Sequence, residues 1–208
     1  MSAKKAKKQT REQQLIIAII VLAVALPAAW WCALRINQFA KKQEQSTSAL
    51  SDAAKFKRDY PNVASDNRFV QASPSEIRQI FEQGSGLVFL GFKECPWCQK
   101  LAPLIDEAAK AEGLDKVYYM DIRQARANKD ETYQALVEKL KENLEKDSEG
   151  NPRIFVPDVT ALRDGKVAGR FLPETSVDDK GLIPDEYWTA ERQAGAVKQL
   201  RAIIAKTR

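Results

Sequence analysis

The sequence predicts an α/β protein, a mixed sheet with helices on both faces, preceded by one transmembrane helix. Three observations lead there. An uncharged apolar run fills Leu15 to Leu34. Two apolar runs of strand type, Leu87 to Phe92 and Lys116 to Ile122, alternate with stretches of helical periodicity. Two further strand-type segments, Val159 to Leu162 and Lys166 to Phe171, flank the turn Arg163-Asp164-Gly165 ahead of a terminal helical stripe.

The chain opens on a basic head, with Lys4, Lys5, Lys7, Lys8 and Arg11 inside residues 1–14. At 1.5 Å of rise per residue, about twenty apolar residues cross a hydrocarbon layer of roughly 30 Å. Residues 15–36 are therefore read as the span. Pro27 is tolerated in such a helix, and Trp30 and Trp31 suit the interfacial belt. Basic residues outnumber those just past the span, which places 1–14 in the cytoplasm and the remainder outside it, as a single-pass protein of the cell membrane. Ala23-Val24-Ala25 resembles a signal cleavage site, and cleavage there would make the protein a secreted one. The apolar run continues past it, which favours an anchor. Cys32 reads as a small buried apolar residue of the span.

The spacing predicts a polar stalk over 37–66, partly helical near Ala49 to Tyr60 and ended by Pro61. The folded domain is expected over 67–208. Arg68 to Gln71 is a short strand. Ser73-Pro74-Ser75-Glu76 is a capping box with proline at the first helical position. Ile77, Ile80 and Phe81 continue that helix until Gly84. Leu87 to Phe92 reads as a strand buried on both faces. A helix follows from Cys95 to about Glu112, ended by Gly113, and then the strand Lys116 to Ile122. Asn128 to about Lys146 reads as one long amphipathic helix with Tyr133, Leu136, Val137, Leu140 and Leu144 on its apolar face, closed by Asn151-Pro152. Glu191 to Lys206 is the terminal helix.

The 208 residues carry a net charge of +5 and no histidine. Without histidine, Ser-His-Asp and Cys-His catalysis and His-ligated metals are excluded. No basic stripe interleaved with aromatics points to nucleic acid. Thiols, carboxylates and lysines are left to carry chemistry.

The thiols that stand out are in Cys95-Pro96-Trp97-Cys98. The motif follows a buried strand and opens a helix, so the two cysteines are neighbours one turn apart. Free N–H groups and the helix dipole favour a thiolate on Cys95. Pro96 fits the first turn, where its missing N–H costs nothing. Trp97 offers an apolar contact to a substrate. Zinc is disfavoured, because a second pair of ligands is missing. A purely structural disulfide across so short a loop would constrain the unfolded chain little.

Phe89-Leu90-Gly91-Phe92-Lys93-Glu94-Cys95-Pro96-Trp97-Cys98-Gln99-Lys100, with Pro103 five residues after the second cysteine, resembles the active-site segment of the thioredoxin superfamily. Pro103 matches the proline that kinks the family's active-site helix. Val156-Pro157 matches its cis-proline, and Gly165 follows at the family's spacing. The resemblance covers roughly Arg68 to Phe171 and implies a thioredoxin-like sheet, with Val156 and Pro157 docking a substrate peptide as a short strand. The CPWC motif behind a membrane span is most similar to the bacteriocin transport accessory proteins, a thioredoxin-like family. Two departures stand out. Phe89 occupies the place of thioredoxin's buried aspartate, and the stretch between Cys98 and Pro157 is longer than in thioredoxin.

The resemblance implies thiol–disulfide exchange with protein thiols or disulfides through a mixed disulfide at Cys95 that Cys98 resolves. It needs no metal and no organic cofactor, and it calls for a redox partner protein to reset the pair. The rival reading is a non-catalytic binding or secretion-accessory module of the same fold.

Overall fold

The computed structural model describes residues 52–173 and 183–208, all within one unit spanning Ala49–Arg208. The first described element is helix α1, residues 52–59. The others follow in chain order: β1 (Phe69–Gln71), α2 (Pro74–Gln83), β2 (Gly86–Gly91), α3 (Pro96–Ala111), β3 (Val117–Asp121), α4 (Arg123–Asn128), α5 (Glu131–Leu140), the short strands β4 (Glu145–Lys146) and β5 (Pro152–Arg153), β6 (Asp158–Arg163), β7 (Lys166–Phe171), α6 (Pro184–Tyr187) and α7 (Ala190–Ile204).

Five strands form one mixed sheet in the order β1-β3-β2-β6-β7. β3 runs parallel to both β1 and β2, while β6 runs antiparallel to β2 and β7. β2, at the centre, is buried along its whole length. Its alternate residues feed two cores. Leu87 and Phe89 join the core under α1, α3 and α7, and Val88 and Leu90 join the core under α2 and α5. The mixed sheet with helices on both faces is thus as the periodicity predicts.

Local signals account for most ends. Ser73 Oγ accepts from the Glu76 N–H while Glu76 returns a bond to the Ser73 N–H, the reciprocal capping box read from the sequence. At the β6–β7 turn Gly165 has φ +69, and a Cβ there would collide with the Glu82 carbonyl, so only glycine lets this turn seat on the end of α2.

Two expectations need correction. The stalk drawn over 37–66 is, in its described part, a piece of the domain. Phe56, Tyr60 and Val63 are 1 %, 1 % and 2 % exposed in the α3-side core. Phe56 stacks on Tyr60 at 4.3 Å and on Phe69 at 3.8 Å. The domain boundary at Asn67 therefore falls inside a packed unit, because buried aromatics outweigh the polar residues between them.

The long helix expected over 128–146 is shorter, confined to α5 at Glu131–Leu140. Lys129 adopts the left-handed conformation (φ 47) and ends α4, and Asp130 then caps α5 by accepting from the Tyr133 N–H at 2.9 Å. Beyond Leu140 the chain turns into the β4–β5 hairpin, where Asp147 Oδ1 gathers the N–H groups of Glu149 and Asn151. Tyr133, Leu136 and Leu140 are buried as predicted.

The transmembrane helix expected over 15–36, with its flanking tail and Cys32, lies outside the described residues. Among the described residues no helix is long and apolar enough to cross a membrane.

Candidate functional site

The chain leaves β2 at Gly91 and turns through Phe92-Lys93-Glu94, with the Cys95 N–H donating to the Phe92 carbonyl at 3.1 Å. Cys95 is the N-cap of α3. Its backbone is extended (φ −79, ψ 113), and its Sγ accepts from the Cys98 N–H at 3.2 Å. A sulfur thus fills the place that a serine or aspartate oxygen usually takes at a helix start. Pro96 occupies the first helical position and Pro103 lies inside the helix.

Both cysteines are free thiols. Cys95 is 6 % exposed and Cys98 is fully buried. The two thiols titrate in opposite directions. The hydrogen bond from the Cys98 side chain draws Cys95 below the ordinary thiol range. Burial opposes this, and the N–H groups of Cys98 and Trp97 and the charge of Arg126 add to it. Cys98 is pushed up, by burial first and then by its bond to Cys95 and the charge there. One proton is therefore shared between an acidic outer sulfur and an inner one that holds it.

Close approach of backbone and sulfur requires Gly91. A Cβ there would sit 2.9 Å from Phe89 Cζ and 3.1 Å from Cys98 Sγ. Phe89 is fully buried in front of the motif, its ring against the tilted ring of Tyr119 at 5.5 Å. Above it Tyr60 Oη donates to Tyr119 Oη at 3.2 Å, and burial pushes both phenols up.

Trp97 is half-buried. Its ring meets Tyr187 of α6 edge-on at 5.2 Å, and Lys100 pairs with Asp185 beside it. α6 thus braces the first turn of α3. On the other side Glu94 pairs with Arg123 at 2.5 Å.

The Val156–Pro157 peptide is cis, as the resemblance implies. Register places it near the motif. Asp158 pairs with Leu90, so the chain entering β6 and the chain leaving β2 toward Cys95 emerge at the same end of the sheet. Val156 packs against both cores.

The structure brings the two cysteines, Pro96 and Trp97 together on α3 and sets Val156 and Pro157 at the same sheet end. Sequence reading missed Tyr60, Tyr119, Gly91 and Arg126. Tyr60 had a signal, the helical spacing of Ala53, Phe56 and Tyr60. Arg126 had none, since α4 is too short to show a period.

No family model matches the chain, and no curated protein matches it. Among solved structures it resembles a crystal structure of a protein of unknown function from Pseudomonas aeruginosa, at 21 % identity and a TM-score of 0.38, over 77 % of this chain and 84 % of that one.

Proposed function

We propose that the protein is a thiol–disulfide oxidoreductase of thioredoxin-like fold acting through Cys95 and Cys98. The observation that carries the reading is Cys95 as a helix N-cap, its sulfur accepting from the Cys98 N–H while Cys98 lies buried behind it. A thiolate is the attacking species in exchange, and this geometry favours one on the outer sulfur alone.

In the reducing direction the Cys95 thiolate attacks one sulfur of a substrate disulfide. A Cys95–substrate disulfide forms, and the other substrate sulfur leaves as a thiolate. Cys98 gives up its proton to the departing sulfur and attacks Cys95 Sγ. The Cys95–Cys98 disulfide forms and the second substrate sulfur is released. The substrate gains two electrons and the enzyme loses two. The oxidising direction is the same path reversed. Val156, half-buried at the mouth of β6, is the backbone against which an extended substrate would lie. The membrane span over 15–36 and an extracytoplasmic domain belong to the same proposal, since disulfides persist outside the cytoplasm. Protease added to intact spheroplasts would then digest or release the domain, and full protection would refute that orientation.

Trapping tests the roles. With Cys32 replaced in every variant, Cys98→Ala accumulates reducible mixed disulfides with substrate proteins. Cys95→Ala traps little, and the double variant none. Equal trapping by both single variants overturns the assignment. No trapping, together with no insulin reduction by the wild type in dithiothreitol, favours a non-catalytic binding module.

A further inference from the structure

Beside the motif lies a cleft of about 740 Å³ between α4, α5 and the β4–β5 hairpin. Its charged lining is Arg123, Arg126, Lys129 and Arg153 against Glu138 and Asp147. Arg123 is already matched by Asp121 and Glu94. Arg126 and Arg153 are not. Among the described residues neither has a carboxylate partner. Arg126 is half-buried, and its polar contact is a long bond of 3.5 Å to the Ile154 carbonyl. Arg153 is half-buried too, with its Nε sealed from solvent and without an acceptor. Glu145 stands across the strand pair from Arg153 without an ion pair between them. The guanidinium groups rest on aromatic faces instead, Arg126 over Phe92 at 5.8 Å and Arg153 over Phe155 at 5.3 Å.

Two half-buried cations close enough to oppose each other's charge are costly without an anion. Each guanidinium offers a planar fork that matches a carboxylate. The cleft also adjoins the thiols. Phe92, under Arg126, accepts the Cys95 N–H through its carbonyl. Ile154, bonded to Arg126, lies just ahead of Val156-Pro157.

We propose that this cleft binds carboxylates of the disulfide substrate through Arg126 and Arg153, holding an anionic segment while the scissile sulfur lies at Cys95. The substrate class is thus a disulfide flanked by acidic groups. This rests on the exchange reading above and names its substrate.

Three cystine-bridged peptides test it, identical except for flanking Glu, Gln or Lys, reduced by the full-length chain as it is turned over by dithiothreitol, with the rate without the chain subtracted. The wild type reduces the Glu peptide about tenfold faster in kcat/KM than the Gln peptide, as one charge-assisted bond allows, and the Lys peptide most slowly. Salt erases the order. In the double variant Arg126→Gln with Arg153→Gln the Glu-to-Gln ratio falls to about one, whereas Lys198→Gln on α7 keeps it. Calorimetry with the Glu peptide carrying serine for cysteine reads the cleft without exchange, and the double variant loses that binding. Glutathione disulfide is the final arm. If it outruns the Glu peptide, the carboxylates are those of a small disulfide; if it lags, they belong to a protein segment. Equal rates on the Glu and Gln peptides, or serine-peptide binding unchanged in the double variant, overturn the proposal. If no peptide is reduced yet the serine peptide binds and the double variant loses it, the cleft stands and the exchange reading falls.

Discussion

Both faces of the sheet are packed, but the polar groups near the thiols differ from those beside β6 and β7. Under α1, α3 and α7 the groups near the motif are aromatic rings, two thiols and two phenols. The charge of Arg126 acts on Cys95, and those of Cys95 and Asp121 act on Cys98. Under α2 and α5 the core is mostly aliphatic, with Phe81 and Tyr133 among its side chains, and encloses an ion pair. Asp158 is fully buried, takes the Nε–H of Arg170 at 2.7 Å and the Thr160 hydroxyl at 2.8 Å, and Arg170 also reaches the Asn143 carbonyl. Burial pushes the Asp158 carboxyl up, and Arg170 and Thr160 pull it back. The difference separates two uses of a buried polar group. The Asp158–Arg170 pair ties β6, β7 and the turn after α5 together with its charge held in place. On the thiol face the two sulfurs instead titrate in opposite directions, Cys95 down and Cys98 up, with the uncharged ring of Phe89 packed behind them.

Breaking the fixed pair has the largest expected effect on stability. Asp158→Ala leaves a half-paired guanidinium in the core and costs about 3–5 kcal/mol, measured by urea unfolding. Asp158→Leu with Arg170→Met recovers most of the loss, because matched apolar groups need no partner. If the double change is as damaging as the single one, the pair does more than hold the turn after α5.

On the thiol face, steric fit is the sensitive quantity. Gly91→Ala forces Cβ against Phe89 and Cys98 Sγ. It is expected to cost about 1–3 kcal/mol by overpacking. It also moves Cys98, so resolution of mixed disulfides slows and trapped complexes appear even with both thiols present. A stable variant with unchanged resolution would show that the sulfur has room to shift.

The phenol pair predicts less. Tyr60→Phe removes the donor to Tyr119 but leaves an acceptor rather than an orphaned donor, for a loss of about 0.5–1.5 kcal/mol in unfolding experiments. A loss near zero would make the hydroxyl pair incidental to the packing of residues 52–66.

The subtlest test is the pH profile of Cys95 alkylation by iodoacetamide. Its midpoint lies below the ordinary thiol value of about 8.5. Cys98→Ala raises it, because the Cys98 hydrogen bond is the foremost cause of the lowering. Arg126→Gln raises it less. The sign for stability follows. A thiol more acidic when folded than when unfolded adds stability to the reduced protein that is fully present above the unfolded pKa and is lost as pH falls through the folded one. A midpoint unmoved in Cys98→Ala would remove the shared-proton picture.

Much of this was legible because it is local. The capping box at Ser73, the buried run of β2, a CxxC opening a helix and the turn at Asp164-Gly165 each depend on neighbours within a few residues, and such neighbours are printed in the sequence. Composition removed histidine chemistry outright. The proline at 157 was marked only by the resemblance to the thioredoxin superfamily.

What tertiary structure decided are matters of company. Phe56, Tyr60 and Val63 sit in a polar stretch and read as stalk until Phe69, Phe89 and Tyr119 supply the rings that Phe56 and Tyr60 meet, stacked or edge-on. The turn at Lys129, between α4 and α5, lacks a glycine or proline, and α5 beyond it packs Tyr133, Leu136 and Leu140 into the core. Asp158 and Arg170 are separated by a hairpin and meet only because β6 and β7 pair. Arg126 becomes a neighbour of Cys95 only when α4 folds back over Phe92. Periodicity and capping are written residue by residue, whereas the partner of a buried ring or charge is set by which strands lie side by side.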